Sequence, residues 1–164
     1  MLNEGGRGEG QLYFVADGKT DLTYQYSYDS QGRLMSGSVI DSSGNVVFST
    51  RQTYDSNNQL SGQQWRIGGT TYSETYTYSK TTGLLATHKP AVGNTLSFAY
   101  DSLQRLSTVT GGIYGKTYTY RDISSTNTTT QVAGLTYDLP TDIVFGYEYD
   151  KLGNIEEYTE NGAT

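Results

Sequence analysis

Few residues in this chain are of a type and spacing that could carry out a reaction. His88 is the sole histidine and there is no cysteine. A histidine-based triad or metal site needs partners, and the Ser and Asp residues near His88 are no denser than the composition supplies. His88 therefore reads as a surface residue. Asp41-Ser42-Ser43-Gly44-Asn45 has a slight calcium-loop look, but it lacks the alternating ligands and terminal Glu of an EF-hand. A plain turn is the simpler reading. No carboxylate pair, phosphate loop or nucleophile elbow is present. The remaining chemistry is aromatic. Tyr24, Tyr26, Trp65, Tyr72, Tyr76, Tyr118 and Tyr147 form a candidate face on which sugar rings could stack. The preferred reading of these rows is cross-strand packing that holds a sheet together. Glu74 and Lys116 share faces with tyrosines. Each needs a partner if buried, and a snorkelling surface position is the simpler expectation. The chain reads as non-catalytic, with no cofactor and no metal.

The elements that would position such rows are marked by a recurring stretch. Tyr28-Asp29-Ser30-Gln31-Gly32-Arg33-Leu34 returns around Tyr54, Asp55 and Leu60, around Tyr100, Asp101 and Leu106, and around Tyr149, Asp150, Gly153 and Ile155. A copy from Tyr78 to Leu84 lacks the Asp, and Tyr120 opens one that has drifted. In the first five the aliphatic residue follows the tyrosine by six positions. Asp after a strand accepts hydrogen bonds from backbone N–H groups ahead of it. Gly32, Asn58 and Gly153 occupy the fourth position, where the backbone turns left-handed. Gln104 and Thr82 stand there in the other copies, so the turn is not expected to be identical in all five. Gly83 implies a shifted turn in the weak copy.

Between these corners the chain alternates. Thr23–Tyr28 puts Tyr24, Tyr26 and Tyr28 on one face, and 71–78 and 96–100 behave alike. The spacing predicts strands over 12–15, 23–28, 34–40, 46–54, 60–67, 71–78, 84–88, 96–100, 106–110 and from Tyr114 onward, then again through Phe145, Tyr147 and Tyr149. Turns are expected at 16–19, 41–45, Gly68-Gly69, Gly93-Asn94, Gly111-Gly112 and Asn161-Gly162. Residues 122–140 weaken the rhythm, and 124–130 reads as either a solvated strand pair or a loop. Successive tyrosines 28, 54, 78, 100 and 120 stand 26, 24, 22 and 20 residues apart, all even intervals that preserve the faces. The last interval, 29 to Tyr149, is odd.

Composition agrees with an all-β chain. The hydrophobic fraction of 34% is low, but 16 tyrosines carry apolar area with a polar tip. There are 20 glycines and 2 prolines, and no long helical periodicity. A net charge of −6 leaves no basic stripe for nucleic acid. No apolar run is long enough to cross a membrane. Residues 1–10 read as a polar, flexible lead-in and not as a signal peptide. Residues 11–164 read as a single module.

The repeated stretch resembles the YD repeat of the Rhs (rearrangement hotspot) family, written Y-D-x-x-G-R-L, and Phe145–Ile155 resembles its Y-x-Y-D-x-x-G-N form. The resemblance covers roughly residues 20–158 in about six copies. Wall-associated bacterial proteins, insecticidal toxin complexes and animal teneurins share the repeat. It implies successive hairpins wound into a spiral shell, which in bacterial members encloses a C-terminal toxin. It also implies secretion or display at the cell surface by the parent protein. The chain departs from the family in being too short to close a shell, in lacking an Asp-Pro core motif at Pro90 or Pro140, and in carrying no toxin domain after it. The expectation is thus an open, twisted antiparallel sheet of YD hairpins. Its partners would be neighbouring repeats and an enclosed or C-terminal effector domain. Self-association is expected through edges or tyrosine faces, and glycan binding is the competing use of those faces.

Overall fold

A computed structural model describes residues 11–124 and 127–163. The expected lead-in, and Ser125 and Thr126 of the Ser/Thr run, lie outside the described residues. Segments rich in Tyr, Thr and Val become strands because branched and aromatic side chains fit a pleated surface. Among the described residues thirteen strands follow in the sheet the order they have in the chain, without crossovers, and the sheet is open. No helix occurs among the described residues. The chain divides into two compact units, Met1–Tyr76 and Thr77–Thr164.

The first unit holds β1 (Phe14–Asp17), β2 (Leu22–Tyr28), β3 (Leu34–Ile40), β4 (Val46–Tyr54), β5 (Leu60–Ile67) and most of β6 (Thr70–Tyr78). Each strand pairs antiparallel with the next. Opposed residues share a face, so the register writes out rows. Val15, Tyr24, Val39, Phe48 and Ile67 form one row across β1–β5. Tyr26, Gly37, Thr50, Trp65 and Tyr72 form the next row on the same face. The other face carries Gln25, Ser38, Ser49, Arg66 and Thr71, then Ser27, Ser36, Arg51, Gln64 and Ser73. One face is therefore aromatic and aliphatic, and the other is hydroxyl-rich. Gly37 belongs to the aromatic row because a Cβ there would lie 3.5 Å from the Tyr26 ring and 3.2 Å from Thr50 Oγ1.

The second unit holds β7 (Leu85–Lys89), β8 (Leu96–Tyr100), β9 (Leu106–Gly111), β10 (Tyr114–Ser124), β11 (Asn127–Asp138), β12 (Ile143–Tyr149) and β13 (Ile155–Glu160). Of the stretch left open between strand pair and loop, the described residues form a strand pair: β10 and β11 make a long hairpin with three register shifts. The turn expected at Gly111-Gly112 falls on Gly112 and Ile113, while Gly111 pairs with Tyr114. The two glycines have separate jobs. Gly112 turns left-handed at φ +63°, and a Cβ on Gly111 would meet the Leu96 side chain at 2.5 Å and the Thr95 carbonyl at 3.1 Å. Strand β1 lies two residues later than expected.

The odd interval has a plain cause. Five residues separate the paired Tyr137 and Ile143, and no bulge compensates for the odd number. Two residues separate Ile67 from Thr70. Thr119, Gly134 and Gly146 are opposed in sequence across the three strands, so Tyr120 and Tyr149 still share a face.

Among the described residues no hydrophobic side chain is fully buried. The sheet is one layer, and alternation leaves one face half-covered, as with Tyr72, Glu74, Tyr76 and Tyr78 in β6. Stability must come from lateral contacts. Gly111→Val is expected to lower the free energy of unfolding by roughly 1–3 kcal/mol through overpacking against Leu96. Ile113→Thr, at a residue 79% exposed, should stay within about 0.5 kcal/mol. Urea titration followed by circular dichroism reads both.

Candidate functional site

Each corner is built on one carboxylate. At Asp29, Oδ1 accepts from the backbone N–H groups of Gln31 (2.8 Å) and Arg33 (3.0 Å). The Gly32 N–H reaches the Asp29 carbonyl (3.0 Å), and the Asp29 N–H reaches the Arg33 carbonyl (2.9 Å). With Gly32 at φ +81° this is a three-residue turn closed by a left-handed residue and a bulge. The bulge places Tyr28 directly opposite Leu34, which is why the aliphatic residue follows by six. Asp55, Asp101 and Asp150 make the same bonds, and their corners set Tyr54 opposite Leu60, Tyr100 opposite Leu106 and Tyr149 opposite Ile155.

The turns are more alike than the side chains suggested. Gln104 takes φ +64° and closes the same turn as Gly32, Asn58 and Gly153. Two N–H bonds to one carboxylate oxygen, backed by the strand ladder, outweigh the left-handed cost to a side chain. Asp41, read as a plain turn without a tyrosine, has the identical bonds, with Gly44 at φ +84°. Its second oxygen accepts from Asn45 Nδ2, so the carboxylate is fully engaged by the turn. The spacing D-x-x-G-N, shared by Asp41–Asn45 and Asp150–Asn154, was the available signal. At Ser79 the turn is one residue longer, closed by Ser79 N–H to the Leu84 carbonyl, with Gly83 at φ +72° as the shifted glycine.

The corner tyrosine has a second task. Beyond the last paired residues of β3 and β4, Ser36 and Arg51, the Tyr54 hydroxyl donates to the Leu34 carbonyl at 2.9 Å. Tyr120 does the same to Leu106 (2.7 Å), Tyr149 to Val132 (2.8 Å) and Tyr28 to Leu12 (2.9 Å). In all four the tyrosine sits three residues past the ladder's end and the carbonyl two residues past it on the neighbouring strand. The bond fastens the outgoing strand of one hairpin to the returning strand before it. Tyr120, read as a drifted corner, lies inside β10, which runs on to Ser124 because Asp122 pairs with Thr128 instead of opening a turn. It keeps the fastening role and loses the turn.

Arginine completes the link. Arg33 Nε donates to Asp29 Oδ2 at 2.6 Å, its Nη2 lies 2.6 Å from the same oxygen, and its guanidinium carbon sits 4.3 Å from the Tyr54 ring centroid. Its Nη1 donates to Asn58 Oδ1 of the next corner (2.7 Å). Arg105 repeats this with Asp101 and the Tyr120 ring, at 4.1 Å, and also donates to Thr128 Oγ1 (2.7 Å) and the Thr129 carbonyl. Arg121 lies over Tyr149 at 5.8 Å. At Asp150 the amide of Asn154 takes the arginine's place on Oδ2, at 2.9 Å. The sequence signal for this role is Asp and Arg four residues apart, one residue before the aliphatic position.

These contacts hold the carboxyls of Asp29, Asp41, Asp101 and Asp150 below the usual carboxylate range. At Asp29 and Asp101 partial desolvation pulls upward. The hydrogen bonds from the following Arg33 or Arg105 backbone and guanidinium, with those from Gln31 or Leu103, together outweigh it. At Asp150 the Asn154 side chain leads, and at Asp41 the Asn45 backbone N–H.

The remaining sequence candidates divide between the units. Trp65 and Tyr72, directly opposed, stack at 6.0 Å and 16°, with Tyr26 and Tyr24 on the same face. Tyr118 faces Leu135 and Tyr147 faces Tyr158 in the second unit. Glu74 is half-buried and accepts from the Tyr76 hydroxyl (2.6 Å). Lys116 lies 4.8 Å from the Tyr137 ring centroid. Both are partnered instead of snorkelling. His88 is half-buried in β7, opposite Leu96.

No protein-family model matches the chain, and no curated protein matches it. Among solved structures, the chain is similar to one from the Photorhabdus luminescens Tc holotoxin pore with a mutation in TccC3, at 18% identity and a TM-score of 0.48, over 84% of this chain and 9% of that one. It is also similar to a chain of the TcdB2-TccC3-TEV crystal structure, at 17% identity and a TM-score of 0.47, over 85% of this chain and 9% of that one. The chain thus spans 9% of the length of either neighbour.

Tyr54→Phe, Tyr120→Phe and Tyr149→Phe should each cost roughly 0.5–1.5 kcal/mol, the worth of one hydrogen bond to a backbone carbonyl. Tyr114→Phe, at a residue 65% exposed, should cost nothing measurable in the same denaturation assay. The depressed carboxyls set a pH dependence. Their stabilisation is complete above the unfolded carboxylate value of about 4 and is lost as pH falls through the lower folded values. Unfolding midpoints should therefore be level from neutral pH down to about 4 and drop below it. Asp29→Asn and Asp101→Asn should flatten that drop, as measured by thermal melts across pH.

Proposed function

We propose that the chain is a non-catalytic structural module of an Rhs-type YD-repeat protein, secreted or displayed on a bacterial surface. In it, successive hairpins form part of a β-sheet wall that encloses or displays another domain. The observation that carries this reading is the recurring fastening of Tyr54 to Leu34, Tyr120 to Leu106 and Tyr149 to Val132, with Arg33 and Arg105 over the tyrosines of the following hairpins. Such bonds join each hairpin only to its neighbour, which is how a sheet of unlimited length is assembled. The corner residues match the YD repeat at the positions that make these bonds. The wall's work is mechanical: it excludes, confines or presents.

A second reading, adhesion to a glycan, is favoured by one observation, the stacked Trp65 and Tyr72 beside Glu74. The two readings part experimentally. Reading the gene on both sides of this segment should reveal further corners of the same spacing and an unrelated domain beyond them. In the full protein, that domain should resist protease far longer than when expressed alone. Flanks without corners, or a domain cut equally fast in both contexts, would remove the wall reading. On a glycan array, reproducible binding abolished by Trp65→Ala and Tyr72→Ala would move the assignment to adhesion.

A further inference from the structure

The hydroxyl-rich face of the first unit holds two arginines that the fold does not use. Of the other described arginines, Arg33 and Arg105 are bound to corner aspartates, and Arg121 reaches Gln131 and the Tyr149 ring. Arg51 and Arg66 are exposed and have no hydrogen-bond, ion-pair or ring partner among the described residues. The register brings them together. Ser49 opposes Arg66 and Arg51 opposes Gln64, so the four form a square with the arginines on one diagonal. Diagonal positions across a strand pair stand about 7–8 Å apart, and two arginine side chains can close on one group over that distance. Ser38 opposes Ser49 and Ser73 opposes Gln64, which extends the square on both sides. No paired residue of this face across β2–β6 is acidic. Glu74 stands on the other face, tied to Tyr76. In a chain of net −6, this is a positive patch without a local counter-charge.

We infer that Arg51 and Arg66 form a binding site for one phosphate monoester group, with Ser49 and Gln64 as auxiliary donors. The chemistry of the square selects that ligand. Guanidinium, hydroxyl and amide groups all donate hydrogen bonds, so the ligand must be rich in acceptors. Two cations call for two negative charges on a single group. A phosphate monoester carries about −1.5 to −2 at neutral pH, whereas a carboxylate or a sulfate monoester carries a single charge. A guanidinium fork grips two oxygens at once. A tetrahedral group offers a separate edge to each of two forks, and a planar carboxylate offers one edge only. The patch is a single square among uncharged side chains, so it takes one such group and not the extended backbone of a nucleic acid. The net negative charge of the chain repels anions from a distance, but salt screens that effect beyond about 8 Å. Binding is decided at contact, by the two forks. The site lies on the face opposite Trp65 and is independent of both the wall and the adhesion readings.

Nuclear magnetic resonance of the full chain tests this. Methyl phosphate, titrated across an expected dissociation constant of about 1 mM, should shift the side-chain N–H signals of Arg51 and Arg66 along one saturating curve. The signals of Arg33 and Arg105 should stay in place. Arg51→Gln and Arg66→Gln should each weaken binding about tenfold, read from the arginine that remains. Both together should abolish it, read from the backbone signals of Ser49 and Gln64. Arg51→Lys with Arg66→Lys, which keeps the charge and loses the forks, should also weaken it. Lys89→Gln, at an exposed cation of the second unit, should leave the curve unmoved. Circular dichroism should remain that of the folded sheet in every variant. Methyl sulfate and acetate should bind at least about tenfold more weakly than methyl phosphate. A hexose phosphate and phosphoserine should both saturate the pair, and the tighter of the two tells a sugar carrier from a peptide one. The inference is overturned if the two arginine signals do not saturate, or if acetate binds as tightly as methyl phosphate. Binding that survives the paired Gln substitutions and is lost with Trp65→Ala would assign the ligand to the aromatic face and also overturn it.

Discussion

One oxygen atom of each corner aspartate, shared between two backbone N–H groups, is the constraint from which the sheet follows. Asp29 Oδ1 holds Gln31 and Arg33, and the same bonds recur at Asp41, Asp55, Asp101 and Asp150. A three-residue reversal with a left-handed closing residue leaves one residue unopposed. That extra residue sets tyrosine against aliphatic across the corner, and thereby decides which side chains reach which face. Had the corner kept its odd number of residues without the bulge, every side chain of the returning strand would face the other way.

A single layer has no interior from which to draw stability, and none of the described apolar side chains is fully buried. Lateral bonds take over. The ladder between neighbouring hairpins ends before the corner, leaving carbonyls that must find donors. The tyrosine hydroxyl supplies one, and the arginine over its ring fixes the ring's position while neutralising the aspartate behind it. Three residue types thus settle a polar end, an aromatic ring and a charge in one motif. Aromatic–guanidinium contact at a partly exposed site contributes about 0.5–1 kcal/mol. That is modest singly, but it repeats along the sheet.

Much of this was legible in the sequence, because strand faces have a period of two and the corners carry their own label. Val46–Tyr54, Leu60–Ile67 and Leu96–Tyr100 lie where alternation placed them. What escaped was held by contacts between segments distant in the chain. Nothing near Gln104 announces a left-handed residue, because the aspartate three positions earlier and the ladder impose it. Gly111 and Gly112 are identical in sequence, and only the left-handed φ of one and the close approach of Leu96 and Thr95 to the other distinguish them. The fastening of Tyr120 to Leu106 spans fourteen residues and has no local signature. The hairpin through β10 and β11 is built from Ser and Thr, whose pattern fits a solvated strand as well as a loop. The candidate aromatic face is a list drawn from two units: Trp65, Tyr72 and Tyr26 share a face in the first, and Tyr118 and Tyr147 belong to the second.

The fastening bonds reach backward by one hairpin and no further. If recombination excised one complete interval, from one fastened tyrosine to the next, the hairpins brought together would present each other with the same kind of carbonyl and the same ring. Duplication would be equally silent. Copy number in such a chain is therefore free to drift by whole hairpins, and length becomes the property that selection can adjust without redesigning a single contact.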